Sequence, residues 1–185
     1  AAPWTMLDLG SRIEITVLDY EISASEAQKE AVTGFVDGVY TDAEYGYRIT
    51  MPNAEWQLYP VRSEDIYMVY IGMEDNENLL IQLTVFQMPY AGVITSQVFG
   101  DMMSGELSKQ VPGFNVLESS AFTVSGYDAY RVDAEGTSGT EVVMMSHVSI
   151  VRDTTVYWFV LTALPDEAVE YDDEFMSIVN SLEVL

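Results

Sequence analysis

The chain has 185 residues, 49% apolar and 12% aromatic, which suits one domain with a packed core and excludes a disordered chain. Acidic residues outnumber basic ones 30 to 7 for a net charge of −23, with 15 acids and 4 bases up to Thr95 (−11) and 15 and 3 from Ser96 onward (−12), so the charge covers the whole body and disfavours nucleic acid and anionic membrane surfaces as partners. Cysteine is absent, which removes a disulfide framework, a thiolate zinc site and a cysteine nucleophile.

Ala1-Ala2-Pro3-Trp4 opens the chain without an initiator methionine or a basic-then-apolar leader, which gives the expectation of a mature exported protein, a bacterial lipoprotein anchored through a residue upstream of Ala1. No apolar run approaches the roughly 18–20 residues that a membrane-spanning helix needs. Residues 12–18 (RIEITVL) alternate Ile13, Ile15 and Val17 against Glu14 and Thr16, the pattern of an added edge strand with one wet face. Ser23-Ala24-Ser25-Glu26 has capping-box spacing, and EAQKEAV after it suits two helical turns that Gly34 ends. Residues 1–37 therefore read as an N-terminal extension, an edge strand and a short helix packed on a domain at 38–185.

The stretch from Tyr40 to Trp56 organises the rest: an acidic turn, Gly46, a short strand, a proline and an anchoring tryptophan. Tyr45, Tyr47, Ile49 and Met51 share one side of an extended segment, with Arg48 and Thr50 on the other. Pro52 has no amide hydrogen for a sheet ladder and stops the strand, and Trp56 arrives to cover its end. No element is assigned from there to Ile66. Residues 66–73 and 79–88 are two apolar runs joined by the polar residues 74–78, hence a hairpin, with Ile81, Leu83 and Val85 facing one way and Gln82, Thr84 and Phe86 the other until Pro89 closes it.

From Thr95 to Gln110 the period changes to about 3.6. Thr95 or Ser96 caps a helix whose apolar face is Val98, Phe99, Met102, Met103 and Leu107, and Pro112-Gly113 ends it. Four strands follow, at 115–124, 127–134, 140–151 and 154–163, with Gly126, then Gly136-Thr137-Ser138-Gly139, then Arg152-Asp153 as the turns. Links this short make neighbours antiparallel. Pro165-Asp166 begins a final helix with Ala168, Tyr171, Phe175, Ile178, Val179 and Leu182 on one face and Asp166, Glu167 and Glu170 in its first turns.

Tyr40, Tyr45-Gly46-Tyr47, Ile49, Pro52 and Trp56, with Gly126-Tyr127-Asp128-Ala129-Tyr130 opening a strand and Ile178-Val179-Asn180-Ser181-Leu182 finishing the last helix, together resemble the PsbP-like superfamily, over roughly residues 38–185. That group includes the extrinsic photosystem II subunit, a Ran-binding relative and many bacterial secreted lipoproteins, and the chain resembles the bacterial branch. The resemblance implies a fold and transfers neither specialised role. The expected fold class is α+β, an α/β/α sandwich with a central antiparallel sheet of about six or seven strands flanked by helices.

Candidate chemistry is sparse. His147 is the only histidine, placed mid-strand with Val143, Met145 and Ser149, and it reads as structural. No G-x-S-x-G occurs, and Gly136-Thr137-Ser138-Gly139 lacks that spacing. Lys29 and Lys109 follow Gln28 and Ser108, so neither sits in a phosphate-binding G-K-[ST]. Asp75-Asn76-Glu77-Asn78 is oxygen-rich and offers ligands to calcium, yet it lacks the glycine and distal Glu of an EF-hand loop and reads first as a solvated hairpin tip. Asp172-Asp173-Glu174 are adjacent on a helix and point about 100° apart, which suits a wet face better than one ion. Tyr67, Tyr70, Tyr157 and Trp158 are stacking platforms or core, with core the default, as it is for the Phe and Met stripe of the first helix.

The expected function is therefore non-catalytic: an extracytoplasmic domain, secreted or lipid-anchored at the outer face of the cell membrane, that binds a protein partner or stabilises an envelope complex. No catalytic, cofactor or metal residue is assigned and no cofactor is expected. The alternatives are a calcium or other cation-binding protein using residues 74–78 and a hydrolase using paired carboxylates.

Overall fold

Period-two alternation dominates the chain, and short turns fold it back on itself as antiparallel sheet. The computed structural model describes residues 34–62, 67–88, 92 and 94–185; the strand and helix expected between residues 12 and 34 lie outside the described residues. Two sheets form. Strands β1 (Gly34–Val36), β2 (Val39–Asp42) and β3 (Tyr47–Thr50) make a meander that β11 (Glu183–Val184) completes in the order β1-β2-β3-β11. The larger sheet takes β4 (Trp56–Arg62), β5 (Tyr67–Met73), β6 (Asn76–Gln87), β7 (Asn115–Val124), β8 (Tyr127–Ser138), β9 (Glu141–Arg152) and β10 (Thr155–Ala163) in the order β4-β5-β6-β10-β9-β8-β7, each pair antiparallel. Three helices accompany them among the described residues: α1 (Ser96–Gln110), α2 (Pro165–Glu170) and α3 (Asp172–Asn180).

The period of β3 holds: Tyr47, Ile49 and Met51 are buried, while Arg48 and Thr50 are exposed. Trp56 is buried as expected, but it opens a strand rather than covering the end of one. That strand, β4, contains Pro60 and lies at the edge of the large sheet, where a residue with no amide hydrogen loses no ladder bond on its outer side. Asp37 and Gly38 take φ of 51° and 79° and form the tight β1–β2 turn, and Ser125 and Gly126 at 49° and 84° do the same between β7 and β8. Between β5 and β6 the turn is Glu74-Asp75 alone, so Asn76, Glu77 and Asn78 belong to β6 and the expected five-residue loop is corrected.

One face of the large sheet, including Ile71, Leu83, Val148, Ile150 and Phe159, packs on Tyr47 and Ile49 of the small sheet and on Phe175, Ile178 and Val179 of α3. The opposite face carries α1 over Met145, Val156 and Trp158. The expected α/β/α layering therefore holds for α1, while on the far side the helical layer is shared with a second sheet that the expectation of one sheet omitted. The final helix is also two helices, because Tyr171 at φ −98° and ψ 9° interrupts the helical path between α2 and α3.

Thr95 caps α1 by accepting the Val98 N–H at 3.2 Å, yet the helix seats a different face from the one its apolar residues suggest. Phe99 and Leu107 are buried with Ser96 and Gly100, whereas Val98 and Met102 stand 52% and 45% exposed. Small residues decide this. A Cβ on Gly100 would lie 2.7 Å from Tyr130 Cδ1 and 3.2 Å from Ser149 Oγ, so the missing side chain is what lets the helix approach the sheet. Gly136 plays the same part at the helix end: it lies within β8, not in a turn, and its Cβ would meet Val111 Cγ1 at 2.4 Å. Gly100→Val is expected to cost about 1–3 kcal/mol through overpacking. Gly105→Ala on the same helix, where a Cβ meets nothing within 4 Å, should stabilise by about 0.5–1 kcal/mol. Denaturant midpoints of the two variants moving in the same direction would contradict this seating.

Candidate functional site

Under α1, alternation on β9 and β10 turns His147 and Trp158 toward the helix, and Gly100 brings Ser104 down to meet them. His147 is fully buried. Trp158 Nε1–H donates to His147 Nδ1 at 3.4 Å, which leaves the ring proton on Nε2 to donate to Ser104 Oγ at 3.0 Å, and Ser104 Oγ–H donates in turn to Gly100 O at 3.0 Å. Burial lowers the imidazole pKa from 6.5 to about 4, against the opposing pull of the Asp133 carboxylate. A serine beside a histidine invites comparison with a nucleophile and its base, but the polarity here is reversed. The imidazole lone pair faces an indole donor, and the serine receives a proton from the ring rather than giving one.

On the opposite face β8 and β9 hold Arg131, Asp133 and Ser146. Arg131 Nε lies 2.9 Å from both Asp133 oxygens, and Nη2 and Nη1 reach Asp172 Oδ1 and Oδ2 of α3 at 2.6 and 3.3 Å. Ser146 Oγ donates to Asp133. Burial works against the guanidinium charge, but the hydrogen bonds and charges of Asp172 and Asp133 outweigh it and hold the pKa above its ordinary value. The Asp172-Asp173-Glu174 run is thus not uniformly wet: Asp172 ties α3 to β8, and Glu174 accepts from Asn53 Nδ2 at 3.3 Å.

A third polar network joins the two sheets around Tyr67. Asp42, fully buried at the end of β2, accepts the N–H groups of Glu44 and Tyr45 at 3.0 and 2.9 Å and the Tyr40 hydroxyl at 3.2 Å. The Tyr40 and Tyr67 hydroxyls share a short hydrogen bond, and Tyr47 donates to Tyr67 at 3.4 Å. Tyr45 stacks on Tyr67 with centroids 4.4 Å apart, and Tyr47 meets Tyr157 edge-on at 5.7 Å. Desolvation raises the Tyr47 and Tyr67 phenols well above 10, which keeps them neutral donors. Tyr67, Tyr70, Tyr157 and Trp158 are all buried, so these side chains offer no stacking platform to solvent.

The β5–β6 turn and the α2–α3 junction flank an open pocket of about 510 Å³, lined by Met73, Asp75, Asn76, Asn78, Glu167 and Tyr171. Asn76 Oδ1 accepts the Asn78 N–H at 3.0 Å. Glu167 Oε2 is buried and has no hydrogen-bond partner among the described residues, and the same holds for Trp56 Nε1, whose ring meets Tyr171 edge-on at 6.1 Å. Among the described residues no group of three or more His, Cys, Asp or Glu side chains is placed to hold a metal ion. The sequence reading singled out Asp75, Asn76 and Asn78 but missed Glu167, which lies across the pocket from a distant helix and was read only as a first-turn acid.

The seven-stranded antiparallel sheet, the smaller sheet and the helices on both faces define a PsbP-like α+β fold. No protein-family model matches the chain, and no curated protein does. Similar solved structures include the cyanobacterial PsbP of Synechocystis sp. PCC 6803, with 16% identity and a TM-score of 0.63 over 80% of this chain and 91% of that one. LpqN of Mycobacterium tuberculosis, described as involved in cell envelope biogenesis, is similar at 20% identity and a TM-score of 0.55 over 75% of this chain and 83% of that one. A protein of unknown function from Pseudomonas aeruginosa, described as a putative regulator, has 14% identity and a TM-score of 0.51 over 80% and 96%. At these identities the likeness establishes the fold. No helix among the described residues is long and apolar enough to cross a membrane.

Proposed function

We propose that this domain works by contact and not by catalysis: an exported domain at the outer side of the cell membrane that binds a protein partner and steadies an envelope complex. The observation that carries the reading is the Ser104–His147 pair, whose imidazole is fully buried beneath a half-buried serine and which is polarised the wrong way to activate a nucleophile. The other polar networks join elements: Arg131 ties β8 to α3, and the hydroxyls around Tyr67 tie β2 and β3 to β5. Asp133 and Asp172 hold Arg131 between them, which gives no support to a carboxylate-dependent hydrolase. The envelope role described for LpqN supports the location.

Cross-linking of intact cells with a membrane-impermeant reagent, followed by mass spectrometry, tests the reading. Links from this chain to one recurring protein are expected. Internal links alone, or turnover of a substrate in a hydrolase screen, would overturn it. The cation-binding alternative draws on Asp75 and Glu167 lining one pocket, and a calorimetric titration with calcium giving saturable heat would favour it instead.

A further inference from the structure

We propose that β7 is a self-association edge, pairing antiparallel with β7 of a second copy of this chain and so continuing the large sheet across a two-fold axis. The inference stands apart from the protein-partner reading, and neither needs the other. β7 ends the sheet order and has no strand on its outer side among the described residues. Its register with β8 tells which backbone groups face outward. Val124 and Tyr127 close the tight turn at Ser125-Gly126 as a bonded pair, and bonded and unbonded pairs alternate from there along the hairpin. The N–H and C=O groups of Thr123, Ala121 and Ser119 therefore point away from β8, and all three residues are exposed.

An edge of this kind is an open template for another strand. The opposite edge of the sheet is blunted by Pro60 in β4. The start of β7 is blunted too, by the register shift between Val116 and Glu118 and by the Glu118 carboxylate. From Ser119 to Thr123 the strand has no proline, no charge and no irregularity of register. The chain ahead of Gly34 enters at the far side of the fold. β1 and β11 are the two ends of the small sheet, and it is the β11 end that reaches the β7–β8 turn, where Ser125 Oγ donates to Leu182 O, while Tyr40 of β2 bonds Tyr67 of β5.

The strand that fits this edge is β7 itself. In an antiparallel register centred on Ala121, Ala121 meets Ala121 of the second copy and Ser119 meets Thr123, so each outward N–H and C=O of the segment finds a partner, two hydrogen bonds to a pair. The side chains agree. Hydroxyls meet at Ser119 and Thr123, methyl groups meet at Ala121, and Glu118 falls opposite Val124 rather than opposite its own copy. A charge of −23 on each copy opposes the approach, so the association strengthens as salt screens it.

Sedimentation equilibrium of the full chain over a range of concentrations, at about 0.05 M and about 0.5 M salt, reads the association. A reversible dimer is expected, about tenfold tighter or more at the higher salt. Amide exchange at residues 119, 121 and 123 should slow as concentration rises. Ala121→Pro removes an outward N–H without breaking a bond to β8, and should weaken the dimer about tenfold or more. Ala121→Glu and Ala121→Lys put like charges directly opposite each other and should each weaken it about fivefold at about 0.15 M salt, whereas an equal mixture of the two should restore a mixed dimer. A monomer at every concentration and both salts would overturn the inference, as would amides that exchange slowly at every dilution because the edge is paired within one chain. So would a dimer that Ala121→Pro leaves intact while keeping the wild-type denaturant midpoint. If Ala121→Pro does not fold, the mixture decides alone, and a mixture no tighter than either charged variant overturns the pairing.

Discussion

Phe175→Ala is expected to lower the stability of this domain by about 3–5 kcal/mol, the range for deleting a fully buried aromatic side chain. Phe175 is 0% exposed and, with Ile178 and Val179, forms the i, i+3, i+4 stripe by which α3 seats on the large sheet. The loss should spread beyond the cavity it leaves. Ser181, just past α3, accepts the Thr50 N–H at 2.8 Å, and two residues on β11 pairs with β3, closed by Leu185 N–H donating to Gly46 O at 2.8 Å. A loosened α3 therefore unpins the edge of the small sheet. Chemical denaturation should show the midpoint fall, with Tm lower by roughly 6–20 °C for a chain of this length. Amide exchange at residues 184 and 185 should accelerate more than exchange in β8 and β9. Ser177→Ala, two residues on and on the exposed side of the same helix, is the control and should move stability by less than about 0.5 kcal/mol. A Phe175→Ala loss below about 1 kcal/mol would mean that α3 is not what closes this face of the core.

What the sequence disclosed and what it hid divide along a physical line. Strands β7 to β10 were legible in number and order because short polar links divide four strand-like runs; β7, β9 and β10 match within a residue at each end, while β8 runs on to Ser138 through residues read as a turn. β4 was missed because Pro60 reads as a breaker, and only the sheet order shows that it stands on an edge strand where the missing amide hydrogen costs nothing. The β1–β2 hairpin did carry a local signal, Asp37-Gly38 between Phe35-Val36 and Val39-Tyr40, one of the strongest short-range turn signatures. β11 had none, being two residues placed by the packing of α3. The face of α1 was misjudged for a different reason. Hydrophobicity counts Val98 and Met102 and passes over Gly100 and Ser104, but a helix pressed against a sheet seats where side chains are smallest. The polar sites were hidden most completely. Glu167 and Asp75, or Ser104 and His147, lie on elements far apart in sequence, and an acceptor without a donor exists only once the chain has folded around it.

The stability of the domain is expected to fall as pH drops from about 6.5 toward 4 through His147 alone, by about 3 kcal/mol over the full window. The folded ring titrates near 4 and the unfolded ring near 6.5, so between these values the unfolded chain binds more protons and stability must rise with pH. Above 6.5 the contribution is fully present; below 4 both states are protonated and nothing further is lost. The cause is geometric. A proton added at Nδ1 would face the Trp158 N–H, two donors with no acceptor between them, in a site that solvent does not reach. Carboxylates also titrate near pH 4, and relief of the −23 charge acts in the opposite direction, so the His147 part must be isolated by difference. Gln in place of His147 retains an acceptor for Trp158 and a donor for Ser104 but does not titrate. The stability gap between wild type and His147→Gln should narrow by about 2 kcal/mol between pH 7 and pH 5 in denaturant midpoints. The imidazole resonances should show a midpoint near 4 with the proton on Nε2 above it. A midpoint at or above 6.5, or a gap that does not change with pH, would show that the ring is reached by solvent or held by an acceptor, and the Ser104–His147 pair would then have to be reconsidered as a reactive one.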